Sequence, residues 1–93
     1  MRFLDHEHAD VVAELKRNGL DERNVLFVKR RGRLHVELPG RDDAFAFFRE
    51  KSAKLDEHGQ WQEHVEYYIG NDKKNPCHWE QVVAAFKSWL AER

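Results

Sequence analysis

The apolar positions near the start of the chain repeat with the period of an α-helix. We predict a helix over residues 6–18, with Asp5 as its N-cap. Gly19 and Leu20 predict its end, because glycine takes the left-handed position of a Schellman motif and the apolar residue after it folds back onto the helix. The apolar side of this helix is formed by Ala9, Val11, Val12 and Leu15.

Two short strands joined by a tight turn are predicted next. Residues 25–28 are all apolar, and Leu34, Val36 and Leu38 alternate with polar residues as in a half-buried strand. The dipeptide Arg31-Gly32 lies between them and suits a two-residue hairpin turn, although arginine there needs a positive φ. The sequence therefore predicts a β-hairpin with a basic tip.

A second helix is predicted over residues 41–55. Asp42 and Asp43 can cap its first turn, where carboxylates also interact favourably with the helix dipole. Phe47 lies off the apolar stripe, so it is either at the margin of a wide apolar face or an exposed aromatic available to a partner. The stripe itself is formed by Ala44, Phe45, Phe48 and Leu55.

Residues 60–69 fit both a strand period and a helical period. Their β-branched and aromatic residues, and the turn residues Gly59 and Gly70 on either side, favour a third strand. A third helix is then predicted over residues 75–91, with Asn75 as N-cap and Pro76 at the first helical position. Its apolar side is formed by Trp79, Val82, Val83, Phe86 and Leu90.

These elements predict one α+β domain over residues 1–93 with the order α-β-β-α-β-α. We expect a three-stranded, mostly antiparallel sheet with the helices packed on one face, since each amphipathic helix needs an apolar surface to cover. The other face is then open. By alternation it carries Tyr68, His64 or His35, and such a face is a natural docking surface.

Composition and charge narrow the class of protein. The 93 residues are 41% hydrophobic and 35% charged, with three tryptophans and six phenylalanines, which favours a folded chain over a disordered one. The formal net charge of -1 gives the whole molecule no strong field toward nucleic acid or anionic lipid. No apolar run has the length of a signal peptide or a membrane span, and Cys77 is the single cysteine, so we predict a cytoplasmic protein without a membrane partner.

The most concentrated charge is the basic hairpin formed by Lys29, Arg30, Arg31 and Arg33. Such a tip can meet phosphates or an acidic protein surface. The alternative is that these are solvated turn charges, which discourage pairing of exposed strand edges. The sequence lacks the patterns of a helix-turn-helix, a zinc finger or a ribonucleoprotein sheet.

Enzyme chemistry and metal binding find little support in the sequence. The six histidines lack metal-ligand spacing, and no paired cysteines, phosphate loop or nucleophile elbow occurs. Cys77 is predicted in the first turn of the third helix, where the helix dipole would lower its thiol pKa. A half-buried, inert cysteine is the simpler interpretation, so we predict no enzyme, no cofactor, no metal and no catalytic residue.

The favoured hypothesis is a small non-enzymatic protein-interaction or regulatory module, which would bind an unidentified protein or a second copy of itself. Trp89 lies near the end of the third helix and is either core or part of such a surface, because tryptophan is enriched at binding hot spots. The alternative is a nucleic-acid-binding domain in which the basic hairpin meets phosphates and Tyr68 or Trp61 stacks on a base. The candidate binding surface comprises Lys29, Arg30, Arg31, Arg33, Tyr68 and Trp89.

Overall fold

The fold is an antiparallel sheet with two helices packed on one of its faces, described in a computed structural model for residues 3–92. The strands follow one another in the order β1-β2-β3-β4, so that each pairs with its neighbour in the chain. The elements are α1 (Asp5–Arg17), a 3-10 turn (Glu22–Asn24), β1 (Leu26–Arg30), β2 (Arg33–Glu37), β3 (Ala44–Leu55), β4 (Trp61–Ile69) and α2 (Trp79–Ala91).

The predicted second helix is wrong: residues 44–55 form the long strand β3. Phe45 and Phe47 both point into the core, at 7% and 3% exposed, which is the period of a strand. The distal part of β3, from Lys51 to Leu55, is exposed on both faces and carries no alternation. The helix was predicted from a stripe of Ala44, Phe45, Phe48 and Leu55, but this stripe does not exist in the fold, and the sheet has four strands instead of three.

The two predicted hairpin strands and the third predicted strand are present. Arg31 and Gly32 both have positive φ, 54° and 78°, which is the backbone of a type I′ turn. This turn pairs Arg30 with Arg33 across β1 and β2. The ambiguous segment pairs with β3 along its whole length as β4, so the strand prediction is confirmed there.

The helix α1 has the predicted Schellman ending, and it begins and ends one residue earlier than predicted. The amide of Leu20 donates to the carbonyl of Leu15 at 2.9 Å, and Gly19 at φ 74° donates to Lys16 at 3.1 Å, which together form a Schellman motif. The N-cap is Leu4 rather than Asp5, because the Glu7 carboxylate accepts the Leu4 amide hydrogen.

The helix α2 begins at Trp79, later than the predicted cap at Asn75. Cys77 exchanges two backbone hydrogen bonds with Tyr67, at 2.8 and 3.0 Å, and this bridge keeps residue 77 extended against the edge of β4. The side chain of Gln81 then accepts the His78 amide hydrogen at 2.8 Å, which starts the helix. Cys77 therefore lies outside the helix, and its predicted place in the first helical turn is wrong.

The core lies between the helices and the inner face of the sheet. Alternation in the strands places Leu34, Val36, Phe45, Phe47 and Tyr67 on this inner face. The helices contribute Val11 and Leu15 from α1 and Val82, Phe86, Trp89 and Leu90 from α2.

A buried carboxylate joins α1 to the two long strands. Glu7 is 0% exposed, and its Oε1 accepts from Arg49 Nη1 at 2.5 Å and from the Leu4 amide at 3.1 Å. Its Oε2 accepts from the Tyr67 hydroxyl at 2.7 Å. Arg49 and Tyr67 are direct cross-strand partners on β3 and β4. One side chain therefore fixes the position of α1 against both strands.

We expect Glu7→Gln to lower the free energy of unfolding by about 3 kcal/mol, because it leaves the Arg49 guanidinium partly buried without its counter-charge. The matched control is Glu63→Gln, since Glu63 forms an exposed ion pair with Lys51 at 3.7 Å and such pairs contribute less than about 1 kcal/mol. Urea unfolding of both variants measures the difference. Equal losses in the two variants would show that the buried network does not stabilise the fold.

Alkaline pH should destabilise the protein through Tyr67. Burial and then the nearby Glu7 carboxylate raise the pKa of Tyr67 above its ordinary value. Between the ordinary value near 10 and the raised one, the unfolded chain has released this proton while the folded chain retains it, so the free energy of unfolding falls as pH rises. Tyr67→Phe should remove this part of the slope in urea unfolding above about pH 10. An unchanged slope would contradict the assignment to Tyr67.

Candidate functional site

Both helices pack on one face of the sheet. They leave the other face uncovered, and we call it the open face. Because neighbouring side chains alternate, the residues that follow each inner-face position lie on this open face. His35, His64 and Tyr68 all lie there, as alternation predicts. The open face is therefore the part of the sheet that is available to a ligand or partner.

A row of four side chains crosses the open face from β1 to β4. Arg30 pairs with Arg33, and Phe48 pairs with Tyr68. The β2–β3 register places Arg33 beside Phe48, and the Arg33 guanidinium lies over the Phe48 ring at 5.8 Å. The rings of Phe48 and Tyr68 are 6.2 Å apart. We call these four residues the cross-strand row: two cations followed by two aromatic rings.

A cleft of about 360 Å³ opens over the aromatic half of this row. This volume is at the low end of the range of small-ligand sites. The β1–β2 turn and the β4–α2 loop contribute to its walls, and β3 and β4 form its floor. The cleft is lined by Arg31, Arg33, Phe48, Glu50, Tyr68 and Lys73.

Arg33 is unusual because it is a cation on the open face and yet only 7% exposed. Its Nη2 donates to the backbone carbonyl of Asp72 at 3.4 Å, so the β4–α2 loop folds over it. Its Nη1 is buried and has no hydrogen-bond partner among residues 3–92. A buried donor without an acceptor costs about 1–3 kcal/mol, so Arg33 is a cation with unused hydrogen-bonding capacity at the wall of the cleft.

The loop that carries Lys73 is shaped by Asp72. The Asp72 carboxylate accepts from the amides of Lys74 and Asn75, at 2.7 and 3.1 Å, and from the Asn75 side chain. The hydrogen bond from the Lys74 amide contributes most to holding the pKa of Asp72 below its usual value. Asp72 is thus occupied in holding the loop. Within residues 3–92, neither Arg31 nor Lys73 forms an ion pair, so both cations are free to meet an anion.

One carboxylate, Glu50, stands among these cations. It lies on β3 two residues beyond Phe48, on the same face. Its cross-strand partner Glu66 is held by His64 at 2.7 Å and lies 3.9 Å from Lys54, whereas Glu50 is in no ion pair with any described residue. Desolvation raises the pKa of the Tyr68 hydroxyl, and so do the nearby Glu50 and Glu66 carboxylates and the hydrogen bond that this hydroxyl donates to Glu50. The cleft therefore has cationic walls, an aromatic floor and one acidic end.

The structure brings some of the predicted surface residues together and separates others. Arg31, Arg33 and Tyr68 line one cleft. Arg30 lies at the end of the same row, where its guanidinium is 2.9 Å from Glu37. Lys29 is paired with the core residue Leu34, so alternation directs it to the helix side of the sheet. The basic hairpin is thus divided between the two faces.

Trp89 is not on the surface. It is 8% exposed, its ring stacks on Phe86 at 5.8 Å, and its indole nitrogen donates to Asp43 Oδ2 at 2.8 Å. The Arg41 guanidinium covers the ring at 4.2 Å, and Arg41 and then Trp89 hold the pKa of Asp43 below its usual value. Asp43 therefore anchors α2 rather than capping a helix. The structure places Trp89 in the core, because α2 turns this side toward the sheet.

Three cleft residues were missing from the prediction: Phe48, Glu50 and Lys73. Phe48 was assigned to the apolar stripe of the predicted second helix. Glu50 lies in the same predicted helix and was not selected as a surface residue. The adjacent Lys73 and Lys74 are a second basic signal in the sequence, but only the fold of the β4–α2 loop brings Lys73 to the hairpin.

The environment of Cys77 disfavours the reactive thiolate form of its side chain. Burial and then Asp72 raise the pKa of its thiol. Within residues 3–92 no group of three or more histidine, cysteine or acidic side chains is arranged to hold a metal ion. No helix in the same range is long and apolar enough to cross a membrane.

A comparison with protein-family models found no match, and comparisons with curated proteins and with solved structures found no significant similarity.

Proposed function

We propose that this chain is a non-enzymatic binding module that takes up single-stranded nucleic acid in the cleft of its open sheet face. The observation that carries the proposal is that Arg31 and Lys73, which form no ion pair with a described residue, line the same cleft as the aromatic rings of Phe48 and Tyr68. Single strands are bound by this combination, because cations follow the phosphates while aromatic rings stack on the bases.

In this proposal a base stacks on the floor formed by Phe48 and Tyr68. Its phosphates lie against the walls, where Arg31 and Lys73 form no ion pair with a described residue. An acceptor that draws the Arg33 guanidinium toward the cleft also satisfies the unused Nη1 donor. Double-stranded nucleic acid fits less well, because its bases are not available for stacking on the floor of the cleft.

The net charge of -1 does not oppose this proposal. The electrostatic attraction of a ligand by the whole molecule is weak, and at physiological ionic strength the charges within about 10 Å of the ligand dominate its electrostatic energy. Within that distance, the cations of the β1–β2 hairpin and of the β4–α2 loop both attract the phosphates of a bound strand. We retain a cytoplasmic location as a prediction, on the grounds of the single cysteine.

We expect the affinity for a short thymidine strand to fall with salt, with a log-log slope of about -2 to -3, since each neutralised phosphate of a single strand contributes about 0.7. Arg31→Ala and Lys73→Ala should each reduce the slope by about 0.7 and weaken binding of all sequences alike. Fluorescence anisotropy at several salt concentrations measures both quantities.

The matched control is Lys29→Ala, which removes the same charge from the same hairpin on the helix side of the sheet. This variant should leave the slope unchanged. An equal loss in all three variants would mean that binding depends on general charge rather than on the cleft, and absence of binding at physiological salt would refute the proposed function.

A second candidate function is self-association, favoured by the distal half of the β3–β4 hairpin. Leu55 and Trp61 are directly opposite each other and are 58% and 69% exposed. An exposed apolar pair without charge is compatible with the same patch on a second copy, which is what a two-fold interface requires.

If this pair forms a dimer, Trp61→Ser should weaken the dimer by at least about 2 kcal/mol, or about thirtyfold. The control is Gln62→Ser, because Gln62 is exposed on the opposite face of the same strand. Sedimentation equilibrium over a range of concentrations measures the dissociation constant. A monomer at all concentrations, or equal effects of the two substitutions, would rule out this surface.

A further inference from the structure

We propose that the cleft prefers guanine among the four bases, with Glu50 as the residue that sets this preference. The inference rests on the proposed function and adds to it the chemistry of the base. It starts from the one acidic side chain in an otherwise basic cleft.

The position of Glu50 relative to the aromatic floor follows from the strand geometry. Residues two apart on a strand are about 6.7 Å apart along it and project from the same face. Glu50 therefore stands about one base width beyond the ring of Phe48, and it lines the same cleft. A base stacked on Phe48 and Tyr68 can direct its Watson–Crick edge at the Glu50 carboxylate.

Part of the hydrogen-bonding capacity of Glu50 is available to a ligand, because the Tyr68 hydroxyl donates one hydrogen bond to this carboxylate and its two oxygens can accept several. Its neighbour Glu66 is held by His64, but Glu50 forms no ion pair within the described part of the chain. An ionised carboxylate accepts hydrogen bonds and donates none. An edge that presents donors to Glu50 is therefore favoured, and an edge that presents carbonyl oxygens is disfavoured by repulsion.

Guanine matches a carboxylate better than the other bases do. Its Watson–Crick edge presents two adjacent donors, N1–H and the N2 amino group, which can meet the two carboxylate oxygens at once. Adenine and cytosine each offer one amino group beside a ring-nitrogen acceptor, and thymine places N3–H between two carbonyl oxygens.

The test compares short thymidine strands that carry one central guanine, adenine, cytosine or hypoxanthine, in addition to thymidine alone. A single guanine avoids the self-association of guanine runs. Hypoxanthine lacks the N2 amino group and otherwise keeps the edge of guanine. We expect the guanine strand to bind about fivefold to tenfold more tightly than the thymidine strand, at the low end for a bidentate base contact because Glu50 is exposed. The hypoxanthine strand should bind with intermediate affinity.

Glu50→Gln should reduce the guanine preference to less than about twofold without weakening binding of the thymidine strand. The matched control is Glu66→Gln, which removes one negative charge from the same face at the neighbouring position. Both variants make the face more basic to the same extent, so a difference between them reports the contact and not the charge. The control should keep the preference.

The outcomes separate this inference from the proposed function. If all strands bind equally well, the guanine preference is wrong and the single-strand proposal stands. If the preference survives Glu50→Gln, or is lost equally in Glu66→Gln, Glu50 does not read the base. If no strand binds the wild-type protein, both proposals are refuted.

Discussion

The buried carboxylate of Glu7 is the constraint on which the arrangement of the two long strands depends. It binds Arg49 and Tyr67, which face each other across β3 and β4, and so holds both on the helix side. Because side chains alternate along a strand, the residues next to Arg49 and Tyr67, which are Glu50 and Tyr68, lie on the open face. A one-residue slip would exchange the two faces. The interaction that stabilises the core thus also sets the composition of the open face.

The cleft is a second consequence of the same register. Phe48 and Tyr68 become neighbours only because β3 and β4 pair in this way, and Arg33 joins them through the β2–β3 register. The β4–α2 loop then folds over Arg33, held by Asp72 on one side and by the Cys77 bridge to Tyr67 on the other. Charges that are far apart in the sequence therefore meet at one end of the sheet, although the chain as a whole is nearly neutral.

The elements with strong local signals could be predicted from the sequence. The Schellman ending at Gly19, the Arg31-Gly32 turn and the apolar side of α2 follow from a few neighbouring residues. The strand β3 could not be predicted in this way, because its distal half is exposed on both faces and its residues favour helix locally. The start of α2 depends on hydrogen bonds between Cys77 and Tyr67, which are distant in sequence.

The candidate site was predicted in part. Arg31, Arg33 and Tyr68 were each selected, for basic charge or for alternation, but nothing local indicated that they line one cleft. Their meeting requires β3 between β2 and β4, which is the element that was assigned to a helix. Trp89 was selected because of its residue type, and its burial follows from the packing of its ring against Phe45 of β3 and against Phe86 of the same helix.

Binding of a single strand in the cleft can be tested by an amide-shift titration of isotope-labelled protein with a short single-stranded oligonucleotide at physiological salt. We expect shifts to concentrate at the residues of the cleft, with Arg31, Phe48 and Tyr68 prominent, and the amides of Lys29 and Trp61 to remain unchanged. Shifts confined to the distal β3–β4 hairpin, shifts that disappear when salt is raised from low to physiological concentration, or no shifts at all would contradict binding in the cleft.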